Sequence, residues 1–301
     1  MKVAQADALS LLNKYAEERT PVLFARASRN PMRDYKAIFD AIESTLFDVG
    51  SQKVPLEQIR AQLEPSKHLE GKRFTDDECY SMLVHVVFYS GFDAQKVSDR
   101  LPVIDENFPN YRVVADYKQG KIDSILNDPR MIRHEGKVTA CVHNAKVFRD
   151  IIAKHSSLQA WIDTLPPLDS DKAIIESRER FRGLFQFLGE RTAFHFMTDL
   201  GQPVLKPDRV IERIFRRFGL VPDDLKRDAL YVALIREGQK FAKATGRPIR
   251  YIDIVFVTYG QDQTKDMGLE RGICLEKKPS CSVCQAAKYC AYYARTHQVT
   301  A

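Results

Sequence analysis

Phe181-Arg-Gly-Leu-Phe185-Gln-Phe187-Leu188-Gly189-Glu-Arg191-Thr192-Ala-Phe-His-Phe196-Met197-Thr-Asp-Leu-Gly201 is the stretch from which the fold is read. Apolar residues recur at helical spacing on both sides of Phe187-Leu188-Gly189. One helix therefore ends before this triplet and another starts at Arg191, giving a hairpin with a tight turn. Glycine at 189 would let the backbone approach a ligand closely. The first amides of the second helix lack partners within it, and its dipole favours an anion. Such a turn can hold a phosphate without reading sequence, which suits a protein that sits on DNA. A plain hairpin closed by a C-cap glycine would look the same, so this stretch alone leaves both readings open.

Working outward, the flanking sequence is helical almost throughout. Residues 4–19 carry Leu9, Leu12 and Tyr15 on one face, followed by a turn at Thr20-Pro21. Asp34 to Phe47 repeats the pattern with Ile38, Ile42 and Phe47, and a short helix runs from Val54-Pro55 to Pro65. Residues 66–75 are rich in Lys, Glu and Gly and read as a linker. From Asp76 a nearly all-apolar helix, with Met82, Leu83, Val86, Val87 and Phe88, is expected at the centre of a core and ends at Ser90-Gly91. A helix over Asp93–Leu101, a loop around Pro102–Pro109, and helices over 116–126 and 138–154 follow. Trp161 sits on a further short helix, and 165–171 is a linker. Tyr251 to Tyr259 is rich in Ile and Val, but its helical neighbours make it a buried helix. With no convincing alternation of strand type, the fold class is all-α.

The chain has 301 residues, 44% hydrophobic and 29% charged, as expected of a soluble globular protein of one large or two modest domains. No apolar run is long enough for a bilayer, and the N-terminus lacks a signal peptide's apolar core. A reducing cytoplasm is the expected compartment, so clustered cysteines point to metal and not to disulfides. The net charge of +6 permits a polyanionic partner without requiring one. Cys79 and Cys141 lie inside apolar helical patterns and read as buried thiols.

The other four cysteines crowd into Cys274-Leu-Glu-Lys277-Lys278-Pro-Ser-Cys281-Ser-Val-Cys284-Gln-Ala-Ala-Lys-Tyr-Cys290. Four soft thiolates can enclose one metal centre. Closed zinc sites usually pair two close knuckles, whereas only Cys281 and Cys284 are close here. The single irregular loop favours an iron–sulfur cubane, each iron taking one thiolate, and leaves zinc as the alternative.

Two resemblances bear on these motifs. The Cys-x6-Cys-x2-Cys-x5-Cys window is similar to the C-terminal cluster loop of the endonuclease III and adenine glycosylase branch of DNA glycosylases. The hairpin resembles the helix-hairpin-helix of the same superfamily. Its Phe185-x-Phe187-Leu188-Gly189 and Phe196-Met197 match the 3-methyladenine DNA glycosylase I family, not the Gly-x-Gly hairpin of the endonuclease III branch. Ile132-Arg133-His134-Glu-Gly136-Lys137-Val with the later Asn144-Ala145 is similar to another stretch of that family. The resemblance spans about residues 76–215 plus the cluster loop.

What it implies is a two-lobed helix-hairpin-helix DNA glycosylase fold. N-terminal helices over 1–71 would pack with the cluster lobe, 72–205 would form a helical barrel, and 206–301 would hold the C-terminal helices and a [4Fe–4S] cluster on Cys274, Cys281, Cys284 and Cys290. The partner would be double-stranded DNA with a damaged or modified base, held by a cytoplasmic, nucleoid-associated monomer. Phe187, Leu188, Gly189, Arg191, Thr192, Arg133, His134, Lys137, Lys277 and Lys278 are the expected DNA contacts.

Reaching a base in a duplex requires flipping it into a pocket that replaces lost stacking. Tyr89, Phe88, Trp161 and His85 are the candidates. A carboxylate should face the oxocarbenium-like sugar left by bond cleavage. Asp208 is the candidate: Pro207 suits a helix's first turn, Asp208 would sit at its positive end, and the superfamily keeps an essential Asp a similar distance after the hairpin. A purely helix-stabilising Asp is the competing reading. The bifunctional branch has a hairpin lysine where this chain has Arg191, which stays protonated and cannot attack the sugar, so base removal without strand cleavage is expected. The base-reading Glu of the methyladenine family would fall near His85 or Val86, where no carboxylate stands. The excised base therefore need not be 3-methyladenine, although alkylated purines stay in view. A glycosylase for hypermodified phage DNA and a non-catalytic iron–sulfur DNA-binding protein are the alternatives.

Overall fold

The computed structural model describes residues 33–262 and 264–297. The helix expected over residues 4–19 and the turn at Thr20-Pro21 lie outside them. The described residues are helical, with no β-strand and one isolated bridge between Thr264 and Leu269. In chain order the helices are α1 (Tyr35–Gly50), α2 (Leu56–Leu63), α3 (Asp76–Tyr89), α4 (Ala94–Ser98), α5 (Leu101–Asn107), α6 (Tyr111–Val114), α7 (Gln119–Asn127) and α8 (Glu135–His155). They continue with α9 (Leu158–Ile162), α10 (Asp171–Leu184), α11 (Glu190–Asp199), α12 (Arg209–Arg217), α13 (Arg227–Thr245), α14 (Ile249–Gly260) and α15 (Ala291–His297). No helix among the described residues is long and apolar enough to cross a membrane.

Two aromatic cores organise these helices. The first surrounds α3, which starts at a capping box: the Thr75 side chain takes the Glu78 amide, and the Glu78 carboxylate takes the Thr75 amide. Its Tyr80, Leu83, Val84, Val86, Val87 and Phe88 are buried against α8 and α11. Tyr80, Phe148, Phe185, Trp161, Phe181 and Phe196 form a chain of mostly edge-to-face rings, 5.0–6.5 Å between centroids. The second core joins α1 to the C-terminal helices, with Phe39, Phe215 and Phe241 around Phe256 at 5.0–6.0 Å.

Several local expectations need correction. The loop expected at 102–109 is mostly helix α5, because Pro102 sits in the first turn, where a missing N–H costs nothing. Helix α8 begins at Glu135, three residues early, because His134 caps it by accepting the Lys137 amide on Nδ1 at 3.2 Å. Residues 251–259 are helical despite their β-branched content, and Tyr251, Ile252, Val255, Phe256 and Tyr259 are buried. Cys79 and Cys141 are buried as expected, and desolvation pushes the Cys79 thiol up to about 12.

Candidate active site

The hairpin consists of α10, the turn Phe185–Gly189 and α11. The left-handed conformation that a C-cap glycine would take belongs to a different residue. Gly189 is extended, at φ −76°, and caps α11, whereas Phe187 takes the left-handed conformation at φ 63°. That conformation costs a non-glycine residue about 1–2 kcal/mol. The turn is held from both sides. Asn144 Nδ2 donates to the Gln186 carbonyl (3.2 Å), and Asn144 Oδ1 accepts the Gln186 amide (2.8 Å). Thr192 Oγ1 accepts the Gly189 amide at 2.6 Å. Leu188 is buried beneath, while Phe187 stays 39% exposed.

Beside Phe187, His134 stands edge-on to both Phe187 and Phe92, at 5.8 and 5.9 Å between centroids. Phe92 is 40% exposed, so two aromatic rings meet solvent beside the hairpin turn. Lys137 was expected on the DNA face and is not there. It is buried, with Nζ donating to the carbonyls of Val87, Phe88 and Ser90 at the end of α3. From there it lies 5.0 Å from the Phe92 ring centroid and 5.2 Å from that of Phe187. Arg133, Lys277 and Lys278 are exposed.

Asp208 is the N-cap of α12, its Oδ1 accepting the amides of Val210 (2.8 Å) and Ile211 (3.0 Å). Pro207 precedes the helix instead of occupying its first turn, because Asp208 itself is the capping residue. Among the described residues no hydrogen bond reaches Oδ2. One turn on, Glu212 receives Arg191 from the first turn of α11 at 3.0 Å, so the hairpin helix and the Asp208 helix are bridged. Arg191 also lies over Tyr231, 5.5 Å from its centroid.

The four expected pocket residues divide. Phe88 is fully buried against Phe108, and Trp161 is buried against Phe181, so both are core. His85 and Tyr89, one turn apart on α3, are half-buried and tied to α4 and α5. His85 Nε2 lies 2.6 Å from Asp105, and the Tyr89 hydroxyl lies 2.8 Å from Ser98 Oγ.

Cys274, Cys281, Cys284 and Cys290 line a single cavity with Arg217, Tyr259, Tyr292 and Tyr293. No group of three or more histidine, cysteine, aspartate or glutamate side chains is set to hold a metal ion among the described residues. The loop is gripped by α12: Arg213 donates to the carbonyls of Gly260 (2.6 Å) and Cys274 (3.1 Å). Arg217 donates to the carbonyls of Leu275 (2.7 Å) and Glu276 (2.9 Å) and to Cys274 Sγ (3.2 Å). The Tyr259 hydroxyl donates to Cys284 Sγ at 2.8 Å, and Gln285 donates its amide to Thr45 of α1 at 3.0 Å. Sequence reasoning missed these grips. The visible signal was two arginines four residues apart on a helix that otherwise buries Ile211, Ile214 and Phe215.

Residues 71–203 match the methyladenine glycosylase family. That segment carries the first core and the hairpin of the methyladenine glycosylase match, and it stops before Asp208 and the cysteine loop. One similar solved structure is 3-methyladenine DNA glycosylase I from Staphylococcus aureus, at 18% identity, 48% of this chain, 85% of that chain and TM-score 0.38. The 8-oxoguanine DNA glycosylase of Thermotoga maritima aligns at 17% identity over 72% of this chain and 95% of that one, with TM-score 0.46. A non-covalent endonuclease III–DNA complex aligns at 16% identity over 80% and 98%, with TM-score 0.48. No curated protein matches.

Proposed function

We propose that the protein is a monomeric, monofunctional DNA glycosylase that flips a damaged or modified base and hydrolyses its glycosidic bond. The observation that carries this reading is Asp208. It caps a helix bridged to the hairpin by Arg191–Glu212, and it keeps one carboxylate oxygen clear of hydrogen bonds among the described residues. In this reading the exposed turn and the α11 amides hold a phosphate, and Asp208 stabilises the cationic sugar and orients water. Arg191 is engaged with Glu212 and offers no neutral amine, so strand cleavage through a Schiff base is not part of the reaction.

We propose a [4Fe–4S] cluster on the cysteine loop from the chemistry of its donor set: four thiols line one cavity, and two of them receive hydrogen bonds from Arg217 and Tyr259. A single zinc would need all four sulfurs at about 2.3 Å from one point, whereas a cubane gives each thiolate its own iron and spreads them wider. When bound, the cluster would shape the loop that presents Lys277 and Lys278.

A base other than 3-methyladenine is favoured by what stands where the family's base-reading Glu would fall: Val86 is buried, and His85 offers an imidazole whose carboxylate partner, Asp105, comes from α5. Bases of hypermodified phage DNA belong in the same test. Alkylated, oxidised and phage-derived duplexes are incubated with the protein, and released bases are identified by mass spectrometry. Release by the wild type, lost in Asp208→Asn with DNA binding retained, is the expected result. A protein that leaves every duplex intact, or an Asp208→Asn variant with full activity, overturns the reading.

A further inference from the structure

An ion chain ending on a buried acid lies behind Asp208, and the proposed reaction leaves it without a task. Asp253 is 1% exposed in a helix whose buried neighbours are mostly apolar or aromatic. A carboxylate in such a place is costly unless both oxygens are engaged. Here they are: Oδ2 accepts Arg250 Nη1 at 2.5 Å, and Oδ1 accepts the backbone amide of Lys206 at 3.2 Å. Arg250 reaches on to Asp199, the last residue of α11, at 3.1 Å, and His195 lies 3.4 Å from the other Asp199 oxygen. The Lys206 peptide is thus held at both ends, because its carbonyl accepts the Asp208 amide at 2.8 Å.

We propose that Asp253 is the positioning residue for Asp208, pinning the Lys206 peptide and so fixing where α12 starts and where its capping carboxylate points. The inference rests on Asp208 being the reacting group. The charged groups facing Asp253 are Arg250 on its own helix, Lys206 and Asp208 on the loop, and Asp199 and His195 on α11 through Arg250. Burial, opposed by Arg250 and assisted by the Asp208 charge, pushes the Asp253 carboxyl up to about 6. That is consistent with a second carboxylate close behind the first. The same chain joins the end of the hairpin helix to the loop that carries Asp208, so a phosphate held at the turn and the sugar at Asp208 share one frame.

The test uses the protein and its Asp253→Ala variant, with Ile42→Val in α1 as a destabilised control that leaves every hydrogen bond of Asp253 in place. Two quantities are read: amide hydrogen exchange at Lys206, Val210 and Ile211, and single-turnover base release, with alkylated, oxidised and phage-derived duplexes each tried as substrate. In Asp253→Ala the three amides should exchange faster. Base release should slow about tenfold to a hundredfold, as a displaced reacting group requires, with DNA affinity unchanged. Ile42→Val should change neither. Unchanged exchange in Asp253→Ala, or a wild-type release rate despite looser amides, overturns the inference. If the wild type releases no base while exchange responds as expected, the reading of Asp208 has failed and the positioning role falls with it.

Discussion

Asn144 and Gln186 are joined in both directions, the buried side-chain amide of one giving and receiving a hydrogen bond with the backbone of the other. A side chain on α8 thereby acts as a strand-like partner for the turn between α10 and α11. Asn144→Leu keeps the volume and removes both bonds. It should lower stability by about 1–3 kcal/mol, measured by urea unfolding, and weaken binding to undamaged duplex DNA.

Phe187 reverses the usual ranking of glycine and alanine. At most helical or extended sites glycine is the less stable of the two. At φ 63° alanine keeps the strain of the left-handed conformation and glycine relieves it. Phe187→Gly should therefore be more stable than Phe187→Ala by about 1 kcal/mol, read from paired denaturation curves.

Asp208 combines a capping role with the proposed chemical one, and two substitutions separate them. Asparagine still accepts the Val210 and Ile211 amides, whereas alanine does not. Asp208→Ala should lose about 1 kcal/mol of stability and Asp208→Asn a few tenths. Base release should be lost in both.

The chain from His195 to Asp253 predicts a pH response with two opposing parts. Burial holds His195 down to about 4, from 6.5. Between those values the unfolded chain takes a proton that the folded one refuses, so stability falls as pH drops. Asp253 is raised to about 6, from 3.8. Between those values the folded protein takes the proton first, so stability rises as pH drops. From pH 6 to 4 the two should nearly cancel in the wild type. Asp253→Asn should expose the His195 loss, and His195→Gln the Asp253 gain, in unfolding curves recorded across that range.

Arg217 and Tyr259 both donate to cysteine sulfurs. In the proposed cluster site, Arg217→Leu frees the carbonyls of Leu275 and Glu276 as well, and should lower iron bound per protein more than Tyr259→Phe does. Iron and sulfide analysis of the purified variants checks the order.

Most of the architecture could be read because helical periodicity and turn residues agree along the chain. The hairpin, the central helix α3 and the helical state of 251–259 follow from spacing, neighbours and length. What could not be read depends on contacts distant in sequence. Lys137 looks like a surface cation until the ends of α3 and α8 meet, when three carbonyls draw its ammonium inside. Phe88 and Trp161 carry the same ring chemistry whether they line a pocket or fill a core, and only packing places them in the core. Asp253 is a single acid in an apolar run with Arg250 three residues before it, and nothing local reveals the Lys206 amide that it accepts or the link through Arg250 to Asp199 on α11.

Helix α12 has one further consequence. Its first residue is set by Asp208, and about one and two turns later Arg213 and Arg217 clasp the backbone of the cysteine segment. A rod nine residues long moves as one body. In the proposed reading, damage at the sulfur-lined end, through oxidation or lost metal, would tilt the far end, and the hold of Asp208 on a sugar would report the health of the thiols.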